Sequence, residues 1–554
     1  MATVQEVADT YIEQMASLDP LEATSWGVAG HDDRLPDLSP AGLDSRADLE
    51  RAALAALAGS PRETERDRIA ADVMAERLSA SLELHDAGDD LRSLRVLHSP
   101  HGSVRQIFDL MNLESEADWQ VVSARLRAVP AALEQFRTTL RAGLSRGLVS
   151  ARRQVLASAK QCDVWGGLGD ASSSFFARFV LRYPGGPSAA DLDAAARSAA
   201  TSYLELGAWL REHYLPGATP VDAVGRERYA LAARFFTGAT LDLEETYDFG
   251  WAELYRIEDR MAAVGAQIAP GASLPEVIEH LESDPARVIE GVETFQRWNQ
   301  DLIDATIASL DGLHFDIAGP IRRCDAMIAP PGGAAAMYYT GPSEDFSRPG
   351  RTWYPTLGKT RFPLWREVSI CYHEAVPGHH LQISQVRYLS DRLTRFQRLA
   401  GFTSGHGEGW ALYGERLMGE LGYLDDPGFE LGMLSAQAMR AVRVIVDIGM
   451  HLELPIPSGE RYHPGERWTP ELALPFVIER SCFPADFLAS EVDRYLGLPG
   501  QAISYKVGER VWLEGRQAAR ARKGGAFDLK DFHRYALDLG SMGLDQLARE
   551  LERY

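Results

Sequence analysis

Cysteine is scarce: Cys162, Cys324, Cys371 and Cys482 are the four in 554 residues, and no two share a C-x-x-C spacing. That argues against a disulfide framework and a thiolate zinc site, and it suits a reducing cytoplasm. Basic residues are in deficit too, 57 Lys and Arg against 79 Asp and Glu, for a net charge of -22. Affinity for nucleic acid comes largely from clustered cations that release phosphate counterions, so no nucleic-acid partner is expected. The Arg-bearing stretch RTTLRAGLSRGLVSARR (137–153) is broken by Leu, Ala and Gly and reads as a solvated helix face. Long apolar runs are missing. None approaches the roughly 20 residues that span a bilayer, and the N-terminus has no basic segment followed by an apolar one, so neither membrane insertion nor secretion is expected. No Gly-x-Ser-x-Gly elbow placed between a strand and a helix, as in many serine hydrolases, is present. The glycine-rich VWGGLGDASSS (164–174) lacks the lysine of a phosphate-binding loop and reads as a connection.

What is present is an ordinary folded composition, 45% hydrophobic and 25% charged, with helical spacing of apolar residues over most of the chain. Amphipathic helices are predicted over 4–16, 43–58, 62–86, 118–145, 189–213 and 221–236. SLPEVIEHLES (273–283) carries a Ser cap with Glu three residues on, and PARVIEGVETFQRWNQDLIDATIASL (285–310) places Pro at a helix start. Residues 313–361 differ. LHFDIAG, RRCDAMIA, AAMYYTG and GRTWYPTL are short β-rich runs separated by Gly and Pro, which predicts a small sheet. The expected architecture is mainly α, with an N-terminal helical region at 1–240. A helical catalytic region at 241–554 holds the sheet and a candidate metal site at 373–415.

That site begins at YHEAVPGHHLQ (372–382). The preceding PLWREVSICYHEA spaces Leu364, Val368, Cys371 and Ala375 as the apolar stripe of a buried helix, and it ends on His373 and Glu374. A buried imidazole beside a buried carboxylate needs partners. Pro377 has no N–H for the carbonyl four residues back and its ring crowds that carbonyl, so the helix must bulge or kink. In a regular helix His379 would lie about 240° around the axis from His373, and His380 roughly 10.5 Å along it. Neither suits zinc, whose nitrogen ligands lie about 2.0–2.1 Å from one ion. A two-residue bulge at Pro377 and Gly378 would bring His379 to the position of an ordinary i+4 histidine, with His380 in reserve. GFTSGHGEGWALYGERLMGEL (401–421) then reads as a Gly-rich turn followed by a helix. It offers Glu408 as third ligand and, two turns on, Glu415 to orient a histidine through its other ring nitrogen.

HEAVPGHHLQ, EGWALYGE, RAVRVIVDIGMH and PGQAISYKVG together resemble the bacterial domain-of-unknown-function family eight-eight-five, which is grouped with the gluzincin metallopeptidases. The resemblance runs from DPLEATSWG near the N-terminus to FDLKDFHRYALDLG near the C-terminus. In the wider clan, dipeptidyl peptidase III has a motif lengthened by one residue, and this sequence is longer by one more. The resemblance to the thimet-oligopeptidase, angiotensin-converting-enzyme and thermostable-carboxypeptidase families implies a large helical zincin-like fold with a small sheet beside the metal helix. It also implies Glu374 as general base and a late tyrosine stabilising the oxyanion. Tyr505 is the candidate tyrosine, because the turn at Pro499 and Gly500 lets the next helix aim a phenol into a cleft; a core tyrosine is the plainer reading.

The expected function is that of a cytoplasmic zinc-dependent hydrolase with one Zn2+ per chain, a peptidase cleaving short peptides. Alternatives are a non-catalytic zinc or peptide-binding protein, in which Glu374 has no task, and a zinc hydrolase of non-peptide amides or esters. A glycosidase would leave the histidines unexplained. Further residues that could orient a ligand or touch substrate are His380, Glu415, His451 and Arg494. Asp447 and His451 form an i,i+4 pair, on the helix surface or facing substrate. Arg494 reads either as a substrate-carboxylate binder or as the partner of Asp493 or Glu491. The edge of GRTWYPT (350–356) is a place where an extended peptide could add as a strand.

Overall fold

The computed structural model describes residues 2–329 and 336–554. Residues 330–335, inside the segment predicted to form a sheet, lie outside the described residues. The chain divides into two compact units. One comprises Met1–Arg62, Leu78–Val224 and Leu496–Leu498, and the other Glu63–Arg77, Gly225–Tyr495 and Pro499–Tyr554. The division expected at residue 240 was contiguous, whereas each of these units is assembled from separate stretches.

The first unit is helical. α1 (Glu116–Arg146), α2 (Arg152–Gly166) and α3 (Ala189–Trp209) enclose a core that includes Trp119, Phe136, Leu140, Cys162, Tyr203 and Leu206. Ser115 starts α1 with a capping box: its hydroxyl accepts from the Asp118 N–H, and the Asp118 carboxylate accepts from the Ser115 N–H at 2.8 Å.

The second unit carries the histidines. Its packing begins with α4 (Leu243–Ile268), amphipathic, with Leu243, Tyr247, Trp251, Leu254, Ile257 and Met261 buried at three- and four-residue spacing. The Ser273 cap expected from the sequence forms, with the Glu276 carboxylate accepting from the Ser273 N–H at 2.7 Å. Pro285 does not open a long helix, however. Pro285–Arg287 is one 3-10 turn, and β1 (Val288–Glu290) follows it before the chain becomes helical over Val292–Leu310. Gly291 at φ 90° makes that switch, a backbone conformation that costs glycine little.

β2 (Cys324–Ile328), β3 (Tyr338–Thr340) and β4 (Gly350–Tyr354) form a sheet in the order β2-β4-β3, parallel between β2 and β4 and antiparallel between β3 and β4. β5 (Arg361–Pro363) pairs with β1. Because β4 is the middle strand, both its edges are already bonded. GRTWYPT therefore cannot take an added peptide strand, and the reason is a pairing partner that lies in the chain before it.

Helices follow: α5 (Leu364–Glu374), α6 (His379–Tyr388), α7 (Ser404–Glu420), α8 (Pro427–Leu452), α9 (Ala485–Gly497) and α10 (Ser504–Lys523). α8 is the axis of this unit. From Leu434 to His451 nearly every residue is buried, as expected of a helix packed on all sides, with α4 and α5 against it. Among the described residues no helix is long and apolar enough to cross a membrane.

Candidate metal centre

α5 buries Trp365, Val368, Ser369, Cys371 and Tyr372, and its last turn presents His373 and Glu374. The expected bulge within one helix is instead a complete break. α5 stops at Glu374, residues 375–378 form a reversal, and α6 starts at His379. The Gly378 N–H donates to the Tyr372 carbonyl at 3.0 Å, and the His380 N–H to the Ala375 carbonyl at 3.0 Å. Gly378 is needed for closeness: a Cβ there would stand 1.9 Å from the His373 carbonyl oxygen. The reversal is clamped by Trp410 of α7, whose indole N–H donates to the Pro377 carbonyl at 2.7 Å.

α7 begins at Ser404, so Gly405 and Gly407, read as part of a turn before Glu408, are helical. Gly405 and Gly409 serve contact with α10. A Cβ on Gly409 would come 2.4 Å from the Gly508 carbonyl carbon, and one on Gly508 2.0 Å from the Gly405 carbonyl oxygen. That approach places Tyr505 of α10 and Glu408 of α7 around the same point.

The break brings three side chains together. Glu408 Oε2 lies 3.4 Å from His373 Nε2 and 3.3 Å from His379 Nε2, and one ligand atom from each residue lies within 4.8 Å of the others. The two imidazoles meet edge to face with centroids 4.8 Å apart. Glu415 fixes the first of them: His373 Nδ1–H donates to Glu415 Oε1 at 2.7 Å, while Ser369 Oγ donates to Glu415 Oε2. This bond leaves the His373 Nε2 lone pair facing Glu408.

Whether these residues fit zinc can be judged from what they leave unsatisfied. Glu408 Oε2 is buried with no hydrogen-bond partner among the described residues, although two ring nitrogens crowd it. Unpaired buried acceptors cost about 1–3 kcal/mol each, and a shared cation removes the cost. Two ligands of one tetrahedral zinc stand about 3.3–3.4 Å apart, the separations found from Glu408 to each histidine. The donor set and its spacing fit. In the protein alone, burial opposes a charge on His373, and the carboxylates of Glu408 and Glu415 overcome it, raising the imidazole to about 9. Glu408 itself is held well below the usual carboxylate range: burial would raise it, but His379 and His373 prevail.

Glu374 is buried, and its Oε2 has no hydrogen-bond partner among the described residues. Burial pushes its carboxyl up, with His379 and His373 opposing. Tyr505 is half-buried and stacks on His373 with centroids 6.3 Å apart. Its hydroxyl makes no hydrogen bond to a described residue. Burial and the Glu408 charge push its phenol up.

His380 points elsewhere. Its Nε2–H donates to the Ile321 carbonyl at 2.7 Å, and its Nδ1 accepts from the Tyr339 hydroxyl at 2.9 Å, tying α6 to β3. Arg494 is committed to Glu491, at 3.0 and 2.8 Å, and to Gln501. Asp447 and His451 are fully buried, which removes the helix-surface reading. Asp447 Oδ2 accepts from the Tyr229 hydroxyl at 2.8 Å and the Gly500 N–H at 2.9 Å, and His451 Nε2 donates to the Tyr495 carbonyl at 3.1 Å. Trp410, Ser369 and Tyr339 were not singled out from the sequence. Trp410 lies inside EGWALYGE, the only signal it gave. A surface groove of about 1110 Å3 lined by Glu258, Leu274, Ile278, Arg461 and Arg480 shares no residue with the His/Glu cluster.

The model of the family described as "Bacterial protein of unknown function (DUF885)" matches residues 20–551. The chain belongs to the DUF885 family. No curated protein matches this DUF885 chain. Two solved structures share its fold. A "putative lipoprotein" from Colwellia psychrerythraea aligns with a TM-score of 0.85 at 20% identity, over 100% of this chain and 99% of that one. A "putative lipoprotein of unknown function" from Shewanella oneidensis aligns with a TM-score of 0.73 at 18% identity, over 99% of each.

Proposed function

We propose that this DUF885 protein is a zinc-dependent hydrolase of the gluzincin type, with a zincin-like helical fold, that cleaves short peptides. The observation that carries the reading is the convergence of His373 and His379 on Glu408 at ligand-edge distances, with Glu408 Oε2 otherwise unpartnered among the described residues. These three residues would hold one Zn2+. When bound, zinc polarises a carbonyl and brings the pKa of water toward about 7.

The remaining work falls to the protein's own groups. Glu415 keeps the His373 proton on Nδ1 and so keeps Nε2 available. Glu374 accepts the proton of the attacking water at its unpartnered carboxylate and then delivers it to the leaving amine. Burial, which raises its carboxyl, tunes it toward that exchange. The Tyr505 hydroxyl, unengaged by the described residues, donates to the carbonyl oxygen as negative charge develops on it. A non-catalytic zinc or peptide-binding protein would have no use for a buried carboxylate without a partner, so Glu374 favours hydrolysis. Four free cysteines suit a reducing cytoplasm, the compartment assigned in this reading.

Elemental analysis of purified protein is expected to give about one zinc per chain. Glu374→Gln should keep that zinc and lose hydrolysis of a mixed peptide library by a factor on the order of 10²–10⁴, read by mass spectrometry. A zinc-free protein after refolding with zinc, or full activity in Glu374→Gln, would overturn the reading.

A further inference from the structure

α8 brings a second set of charged groups toward the same centre. In RAVRVIVDIGMH, Arg440 and Arg443 stand three residues apart on one helix face. Both guanidiniums lie over the Tyr505 ring, Arg443 Cζ 4.5 Å and Arg440 Cζ 5.8 Å from its centroid. Since that ring stacks on His373 at 6.3 Å, Arg443 Cζ lies within about 11 Å of the His373 imidazole, a span that about two extended residues at 3.3–3.6 Å plus one hydrogen-bonded contact cover.

The two arginines are held differently. Arg443 is braced by the Tyr495 hydroxyl at 3.0 Å and by Glu491 at 2.7 Å, yet its Nη1 is buried without a partner among the described residues. Arg440, with its side chain 11% exposed, makes no hydrogen bond to a described residue, and its Nε is buried without a partner. The carboxylate it approaches, Glu415 at 3.6 Å, already accepts from His373 and Ser369. Glu491 likewise accepts from Arg443, Arg494 and Tyr495. Arg440 therefore has a buried Nε without a hydrogen-bond partner among the described residues and only a long ion pair from Nη2 to Glu415, at 3.6 Å, so the fork is left short of acceptors that a ligand can supply.

We propose that Arg440, with the free Nη1 of Arg443, is the receptor for a carboxylate of the substrate, namely the C-terminal carboxylate of a peptide cut one or two residues from its end. The proposal rests on the hydrolase reading above. A guanidinium fork suits a carboxylate because it can donate two parallel hydrogen bonds, and Tyr505 beneath both guanidiniums links recognition to the centre. Arg494, the residue the sequence suggested for this task, has its donors committed to Glu491 and Gln501.

The test uses zinc-loaded, full-length Glu374→Gln protein and matched N-acetylated hexapeptides ending in a free acid or an amide. Half of each set carries an internal Asp or Glu, and the retained peptides are quantified by mass spectrometry. Free acids should be retained about tenfold or more over amides, irrespective of internal acidic residues. In Glu374→Gln/Arg440→Gln that preference should vanish while zinc content stays the same. Arg440→Lys, which keeps the charge and loses the fork, should lose most of it and serves if the Gln variant fails to fold. Equal retention of acids and amides, retention governed by internal acidic residues, no retention at all, or a preference that survives substitution of Arg440 overturns the proposal. If the parent protein holds no zinc, the hydrolase reading falls, and the acid-over-amide preference still decides the carboxylate receptor by itself.

Discussion

His379 and His380 are neighbours in sequence and opposite in surroundings. Successive helical residues are rotated by about 100°, so when α6 turns the first toward Glu408 it must turn the second toward β3. His379→Ala is expected to abolish stoichiometric zinc. His380→Ala should retain it and unfold at lower temperature, because two hydrogen bonds of a buried ring are lost, a change of about 1–3 kcal/mol. Zinc analysis and calorimetry on the pair check both. Asp447 gives a prediction in pH. Burial pushes its carboxyl up to about 7 from an ordinary value near 4. From about pH 4 to pH 7 the unfolded chain has therefore lost this proton while the folded protein keeps it, and the contribution of Asp447 to stability falls across that window and is flat above it. Asp447→Asn cannot ionise, so its melting temperature relative to wild type should rise from pH 4 to pH 7. A constant difference would show that the group titrates normally.

At the scale of elements, the centre depends on two places where backbone meets backbone. One is the reversal between α5 and α6, where Gly378 packs on the His373 carbonyl and Trp410 holds Pro377. Although α1 runs on through Pro130, Pro377 pointed to a disturbed helix, because the hydrogen bond at that position is lost. It did not say that the interruption would be a full break rather than a bulge, since that depends on α7 supplying an indole from 33 residues away in sequence. The other place is the crossing of α7 and α10. Gly405 and Gly407 looked like part of a turn because glycine weakens helices, and tertiary packing overrode that preference. Gly508→Ala tests the crossing. Its Cβ meets backbone, which cannot swing away as a side chain could, so a loss of about 1–3 kcal/mol or more is expected by denaturant unfolding. Zinc content should fall with it, because Glu408 lies on the displaced helix. Stability unchanged within error would show that the helices are not held this closely.

For the whole molecule, a resident metal must appear as stability. A ligand that binds the folded chain alone adds about 2.7 kcal/mol at a hundredfold excess over its dissociation constant. Removal of metal by a chelator is expected to lower the melting temperature by several degrees, zinc to restore it, and the His379→Ala protein to be indifferent to both. The mainly helical character and most helix positions were legible, because burial of one apolar stripe leaves a 3.6-residue period wherever a helix lies on a core. The His and Glu residues that converge and the disturbance at Pro377 were legible as well, since they follow from side-chain chemistry and from the missing proline N–H. The sheet order was not. β4 became an interior strand by pairing with β2 and β3, and strand order is a matter of pairing between distant segments that no local pattern encodes. The burial of Asp447 and His451 was hidden for a related reason: a helix such as α8, covered on every side, has no solvent face from which direction can be read. Sequence alone thus determined which groups were available and where the chain had to bend. Tertiary structure decided which of them meet, because distances such as those from Glu408 to His373 and His379 are set by helices that pack together from separate parts of the chain.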